Sequence, residues 1–156
     1  MIAALLRRGI LVLLAGVVAT AAAHAVLATS SPEAGAVVSE SPAEVHLTFT
    51  EGVEVDFSDF WLVRMDAADV DPYADDAQMR LNGRASAYLS AYLSGSPSGE
   101  GEVPVEAAWA EGTKSEVVLS LSEPLAPGHY VVMWRALSVD THGVNGHVVF
   151  TVVEGE

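Results

Sequence analysis

The 156-residue sequence predicts an all-β domain, an immunoglobulin-like antiparallel β-sandwich of Greek-key type, carrying a signal peptide and one long acidic insertion. Three observations predict it. Short segments alternate apolar and polar residues with the period of a half-buried strand, clusters of Gly, Pro, Ser and Asp separate them, and no regular helix–strand alternation supports a parallel sheet. The chain has no cysteine, so burial of apolar surface alone must hold the domain together, and about 130 residues suffice for that.

The elements follow in order. Residues 1–23 read as an export signal: Arg7 and Arg8 supply the positive region, and residues 9–18 form an apolar core too short to favour a membrane-spanning helix. Ala21-Ala22-Ala23 offers a small-x-small cleavage pattern that makes His24 the first mature residue, so the domain is assigned to 24–156. A competing cut after Ala25 leaves Val26 first. Val45, Leu47 and Phe49 alternate with His46, Thr48 and Thr50, and Phe60-Trp61-Leu62-Val63 is a short apolar run. Val117, Leu119 and Leu121 alternate again, and residues 130–137 and 148–153 are the two strongest strand candidates.

Between them, residues from about 65 to 104 differ. They start acidic, with Asp66, Asp69, Asp71, Asp75 and Asp76, and end in a Gly/Ser/Pro run at 95–101. Tyr88 and Tyr92, like Leu89 and Leu93, have the spacing of one helix face, with Gly83 and Gly95 keeping that helix short. A calcium loop built on Asp69 and Asp71 fails at Tyr73 and Ala74, where a ligand and a glycine are needed. The segment is expected to be a solvated excursion between two strands.

Charge and composition narrow the function. The chain holds 7 Lys and Arg against 21 Asp and Glu, and without its first 23 residues its net charge goes from −14 to −16. Such a surface repels phosphate backbones and anionic headgroups and favours cations. Without thiols, any metal chemistry must rest on nitrogen and oxygen donors.

Those donors concentrate at two places. If cleavage frees His24, that residue offers an α-amine and an imidazole in one chelate. Asp140 and His142 lie in a turn between the two strongest strands, and in an extended segment their side chains project to the same side while Thr141 points away. A nitrogen-rich set with one oxygen suits Cu(II), which leads the divalent affinity order. By spacing alone, Asp-Thr-His-Gly also fits a plain turn in which Asp140 bonds its own backbone. His46 and His129 read as surface residues, and His147, opening the last strand, as a surface residue or an assistant to the metal.

Residues 24–38, 42–51 and 125–152, the last containing Asp140-Thr141-His142-Gly143, resemble the opening and closing segments of mature CopC-type copper-resistance proteins. The resemblance implies a small exported β-sandwich that binds Cu(II), not an enzyme, with the metal ligands His24, Asp140 and His142. It implies a periplasmic or secreted monomer that sequesters or delivers copper, with an inner-membrane copper transporter of the CopD type as partner and no nucleic acid. Members with a Cu(I) site carry clustered methionines; here Met65, Met79 and Met133 are scattered, so a Cu(II)-only protein is expected. Gly143 and Gly52 stand where the family commonly has proline. Two other readings stay open: a copper-dependent enzyme of the oxidative polysaccharide-cleaving type, and a metal-free immunoglobulin-like interaction module.

Overall fold

The computed structural model describes residues 24–155, so the expected signal segment 1–23 lies outside the described residues. The chain runs β1 (Leu27–Ser31), β2 (Val37–Val38), β3 (Glu44–Phe49), β4 (Val53–Arg64), α1 (Ala77–Leu93), β5 (Glu102–Val103), β6 (Val105–Trp109), β7 (Glu116–Leu121), β8 (Gly128–Ser138) and β9 (Gly143–Val152). One sheet has the order β1-β3-β7-β6 and the other β2-β9-β8-β4-β5. Consecutive strands β3 and β4 belong to different sheets, as do β7 and β8, so the chain crosses between layers as the sandwich prediction requires. Every pair is antiparallel except β2 on β9.

The alternating residues meet between the sheets. Val45, Leu47 and Phe49 of β3 and Val117 and Leu119 of β7 face Tyr130, Val132 and Trp134 of β8 and Val148, Phe150 and Val152 of β9, all buried. Aromatic packing fixes this core: Tyr130 stacks on Phe150 at 5.5 Å, and Phe49 meets the Trp134 ring edge-on at 5.7 Å.

The excursion contains the helix that the Tyr88/Tyr92 and Leu89/Leu93 spacing predicts, but the helix is longer than expected and the segment is not merely solvated. Helix α1 covers the outer face of the five-stranded sheet and closes a second core, in which Ala77, Leu81, Ala85 and Tyr92 bury against Val63, Met65, Val131, Met133 and Val149. Gly83 does not shorten the helix. It lies on the solvent side with open space around it, where a glycine costs only about 1 kcal/mol relative to alanine. Gly95 does end it: at φ +73° it lets its own N–H reach the Tyr92 carbonyl (3.1 Å) and the Ser96 N–H reach that of Ala91 (2.9 Å), a Schellman closure.

Polar contacts tie the acidic stretch to the helix. The Asp69 carboxylate takes Nη2 of Arg80 at 2.7 Å and Nη2 of Arg84 at 2.8 Å, one helical turn apart. The nearby arginine hydrogen bond holds the Asp69 carboxyl below its usual range. Asp71 accepts the N–H of Tyr73 at 2.9 Å, so both aspartates weighed for calcium have structural partners. Tyr92 donates to Glu102 at 2.8 Å, and burial, with that carboxylate, pushes its phenol pKa up.

Candidate metal centre

The β3–β4 turn, the start of the described chain and the β8–β9 turn meet at one pole of the sandwich. His24 and His142 bring their rings to a centroid distance of 4.9 Å, tilted by 59°. Asp140 is beside them: its Oδ2 lies 3.0 Å from Nδ1 of His142, and its Oδ1 accepts the His142 backbone N–H at 3.1 Å. That backbone bond holds the Asp140 carboxyl below its usual range, the Ser138 hydroxyl and the His142 side chain adding to it against a partial desolvation. The carboxylate is therefore ionised and only accepts.

The geometry of Asp140 and His142 differs from expectation. They do not share a side of an extended segment. The chain folds tightly, the Thr141 N–H reaching the Ser138 carbonyl at 2.9 Å and the Ser138 N–H that of His142 at 2.8 Å. Thr141 has φ +73°, a left-handed conformation uncommon for a β-branched residue and sustained only where the surroundings impose it. The plain turn and the ligand pair thus coexist: Asp140 bonds its own backbone and also faces the imidazole.

As they stand, the candidate ligands touch one another rather than a common point. Among the described residues no three His, Asp or Glu side chains are gathered into metal-holding geometry. The donor chemistry nevertheless fits copper. Two imidazoles and an ionised carboxylate converge on one exposed patch, with the hydrogen bond between Asp140 and His142 where a cation would compete with a proton.

The remaining histidines lie elsewhere. His147 stands opposite Met133 on the outer face of the five-stranded sheet, half-buried, and burial pushes its imidazole pKa down. His46 lies between Glu116 at 2.8 Å and Glu44 at 3.3 Å on the other sheet. His129 corrects the surface expectation: it is buried, with Nδ1 2.8 Å from the Thr151 hydroxyl and Nε2 3.0 Å from the Val70 carbonyl. A carbonyl only accepts, so Nε2 carries the proton, and the ring pins the acidic stretch to the sheet.

A sizeable cleft lies away from this pole. A cleft of about 800 Å³, lined by Arg64, Asp66, Tyr88, Glu100, His129 and Glu154 among others, opens at the opposite end of β4, β8 and β9. At about 3.3 Å per residue, the eleven residues of β8 separate the two poles by roughly 30 Å. The candidate centre is a surface patch. Sequence reasoning missed Thr50 and Ser138, which help hold its parts in place; a polar residue at the end of a strand gives no signal of its own.

Fold and site define a class: a β-sandwich with an imidazole- and carboxylate-bearing pole. The family model described as the CopC domain matches residues 27–153. Copper resistance protein C of Escherichia coli is 34% identical over 142 residues, covering 90% of each chain. Protein YobA of Escherichia coli strain K12 is 29% identical over 83% of this chain and 79% of its own. The crystal structure of PcoC, a methionine rich copper resistance protein from Escherichia coli, superposes with a TM-score of 0.59 at 27% identity, covering 84% of this chain and all (100%) of that one. CopC from Methylosinus trichosporium OB3b gives a TM-score of 0.58 at 28% identity, covering 85% and 97%. The chain belongs to the CopC family.

Proposed function

We propose that this protein is exported and binds Cu(II) outside the cytoplasm, to sequester it or deliver it in copper homeostasis and resistance. The observation that carries this reading is the 4.9 Å approach of the His24 and His142 rings, from opposite ends of the domain, beside the Asp140 carboxylate. Removal of residues 1–23 frees the His24 amine, which with its imidazole, His142 and Asp140 makes a nitrogen-rich set. Deprotonating that amine at pH 7 costs about 1.4 kcal/mol, small beside the 10 kcal/mol or more that protein metal sites contribute.

Copper is cargo here, and the protein is a carrier rather than an enzyme, with Asp140 occupying the side of His142 that an oxidant would need. The donors support the oxidised state of the metal. Met65 and Met133 are buried in the helix-covered core and Met79 lies exposed on α1, so among the described residues no thioether cluster serves Cu(I), unlike a relative described as methionine rich. No helix among the described residues is long and apolar enough to cross a membrane. We place the monomeric protein in the periplasm or the medium, with an inner-membrane copper transporter of the CopD type as the delivery target.

The test uses the exported protein, its first residue read by intact mass. The expected result is a chain starting at His24 that binds one Cu(II), with a nitrogen-dominated paramagnetic resonance spectrum and affinity that weakens as pH falls through about 6.5. His142→Ala should lower affinity at least about a hundredfold, the scale of losing a ligand contact worth nearly 3 kcal/mol. A chain starting at Val26, or His142→Ala binding like wild type, overturns the reading.

A further inference from the structure

We propose that Thr50, which bears no candidate ligand atom, is the positioning residue that presents His24 to the Asp140/His142 turn; the inference rests on the copper reading above. Thr50 follows directly on β3. Its hydroxyl accepts the Val26 N–H at 3.0 Å and donates to the His24 carbonyl in a long bond of 3.4 Å, while its own N–H reaches the Val26 carbonyl at 2.8 Å. One side chain thus grips the backbone on both sides of Ala25, whose methyl is buried while Val26 is 60% exposed. A hydroxyl accepts and donates through one atom, which an aliphatic side chain cannot do.

Two residues further on, the same turn grips the other half of the site. The Gly52 carbonyl accepts the Val139 N–H at 3.0 Å and the Ser138 hydroxyl at 3.4 Å. A Cβ at Gly52 would lie 2.9 Å from Cγ1 of Val139, so the glycine permits the close approach. The Thr50–Gly52 turn therefore sets the spacing between His24 and His142, with Thr50 controlling the only ligand that sits at a chain end in the mature protein. Without the clamp, His24 samples more orientations and binding must order it.

Thr50→Val removes both side-chain bonds but keeps the shape, the backbone bond and the preference for extended structure, so the fold is retained. In the exported protein, Thr50→Val should speed exchange of the Val26 amide in the copper-free state and weaken Cu(II) binding about tenfold, the scale of one or two exposed hydrogen bonds. Its paramagnetic resonance spectrum should broaden into a mixture, Thr50→Ser should restore all three, and the copper-free melting temperature should fall by no more than about 6 °C. Wild-type affinity and spectrum in Thr50→Val, with His142→Ala still impaired, would overturn the role of Thr50 and leave the copper reading standing. A large loss of melting temperature that serine does not rescue would also overturn it, by making the role structural. Unimpaired His142→Ala would overturn both.

Discussion

The two cores of this domain share the strands β8 and β9 but are assembled on opposite principles. Between the sheets, large side chains such as Leu47, Tyr130, Trp134 and Phe150 interdigitate from strands distant in sequence. On the outer face of the same strands, Val131, Met133 and Val149 are covered by one continuous segment whose helix contributes two small residues, Ala77 and Ala85, beside Leu81 and Tyr92. Small residues let the helix backbone approach the sheet closely, which is why a weakly apolar segment can still bury an apolar face. The sandwich core defines the fold and positions the pole that bears His24, Asp140 and His142. The helix core shields strands that would otherwise expose a hydrophobic face, and its cleft opens at the far end.

The strongest way to break this division is Phe150→Ala. Removing a fully buried aromatic from the sandwich should cost about 3–5 kcal/mol, read as a lower urea midpoint and melting temperature, and should disturb both cores because β9 serves both. Leu81→Ala should cost less, about 2–3 kcal/mol, toward the low end for such truncations because the alanine it leaves favours the helix. Amide exchange should then rise in α1 ahead of β8, while the proposed copper binding is left unchanged; simultaneous exchange in helix and sheet would show that the two cores unfold as one.

The smallest effect should come from Asp69→Asn. The Arg84 hydrogen bond lowers the folded-state pKa of Asp69 below the ordinary 3.8, so its ion pairs stabilise the fold above that value and the stabilisation is lost as pH falls through the lower folded value. Asp69 is solvent-exposed, so the contribution is screened. Acid unfolding followed by the helical signal should retain that limb in wild type and lack it in the variant; identical acid limbs would remove Asp69 from the account of how the helix is anchored.

How much of this was legible follows from particular residues. Val45, Leu47 and Phe49, and Val117 and Leu119, announce half-buried strands because one face meets the core and the other water. Residues 130–137 and 148–153 carry a further message in their lack of clean alternation: a continuous apolar run belongs to a strand covered on both faces. The second half of the cover was visible in the Tyr88/Tyr92 and Leu89/Leu93 spacing, but its first half and its burial were hidden, because Ala77, Leu81 and Ala85 sit among Ser, Asn, Gly and Arg and read as a polar segment, and because Gly83 looks like a stop when it faces solvent. At the candidate site, the residue types of His24, Asp140 and His142 were visible, and the resemblance paired them. Their convergence was not, since it depends on a left-handed Thr141 and on Thr50 and Gly52, whose contacts cross from one turn to another.

The border of the larger sheet has a practical consequence. Alongside β9, the Gly35–Val38 stretch supplies partners in turn: Gly35 donates to Val149, Thr151 to Ala36, and Val153 to Val38. At the other border, β5 pairs only with Leu62 and Val63, and β4 shifts register between Glu54 and Asp59. The most apolar ribbons of the molecule are thus flanked by short or irregular rails that a neighbouring polypeptide cannot extend into a ladder. Short and irregular borders of this kind disfavour edge-to-edge association between copies of the chain, so the two apolar ribbons stay paired within one molecule.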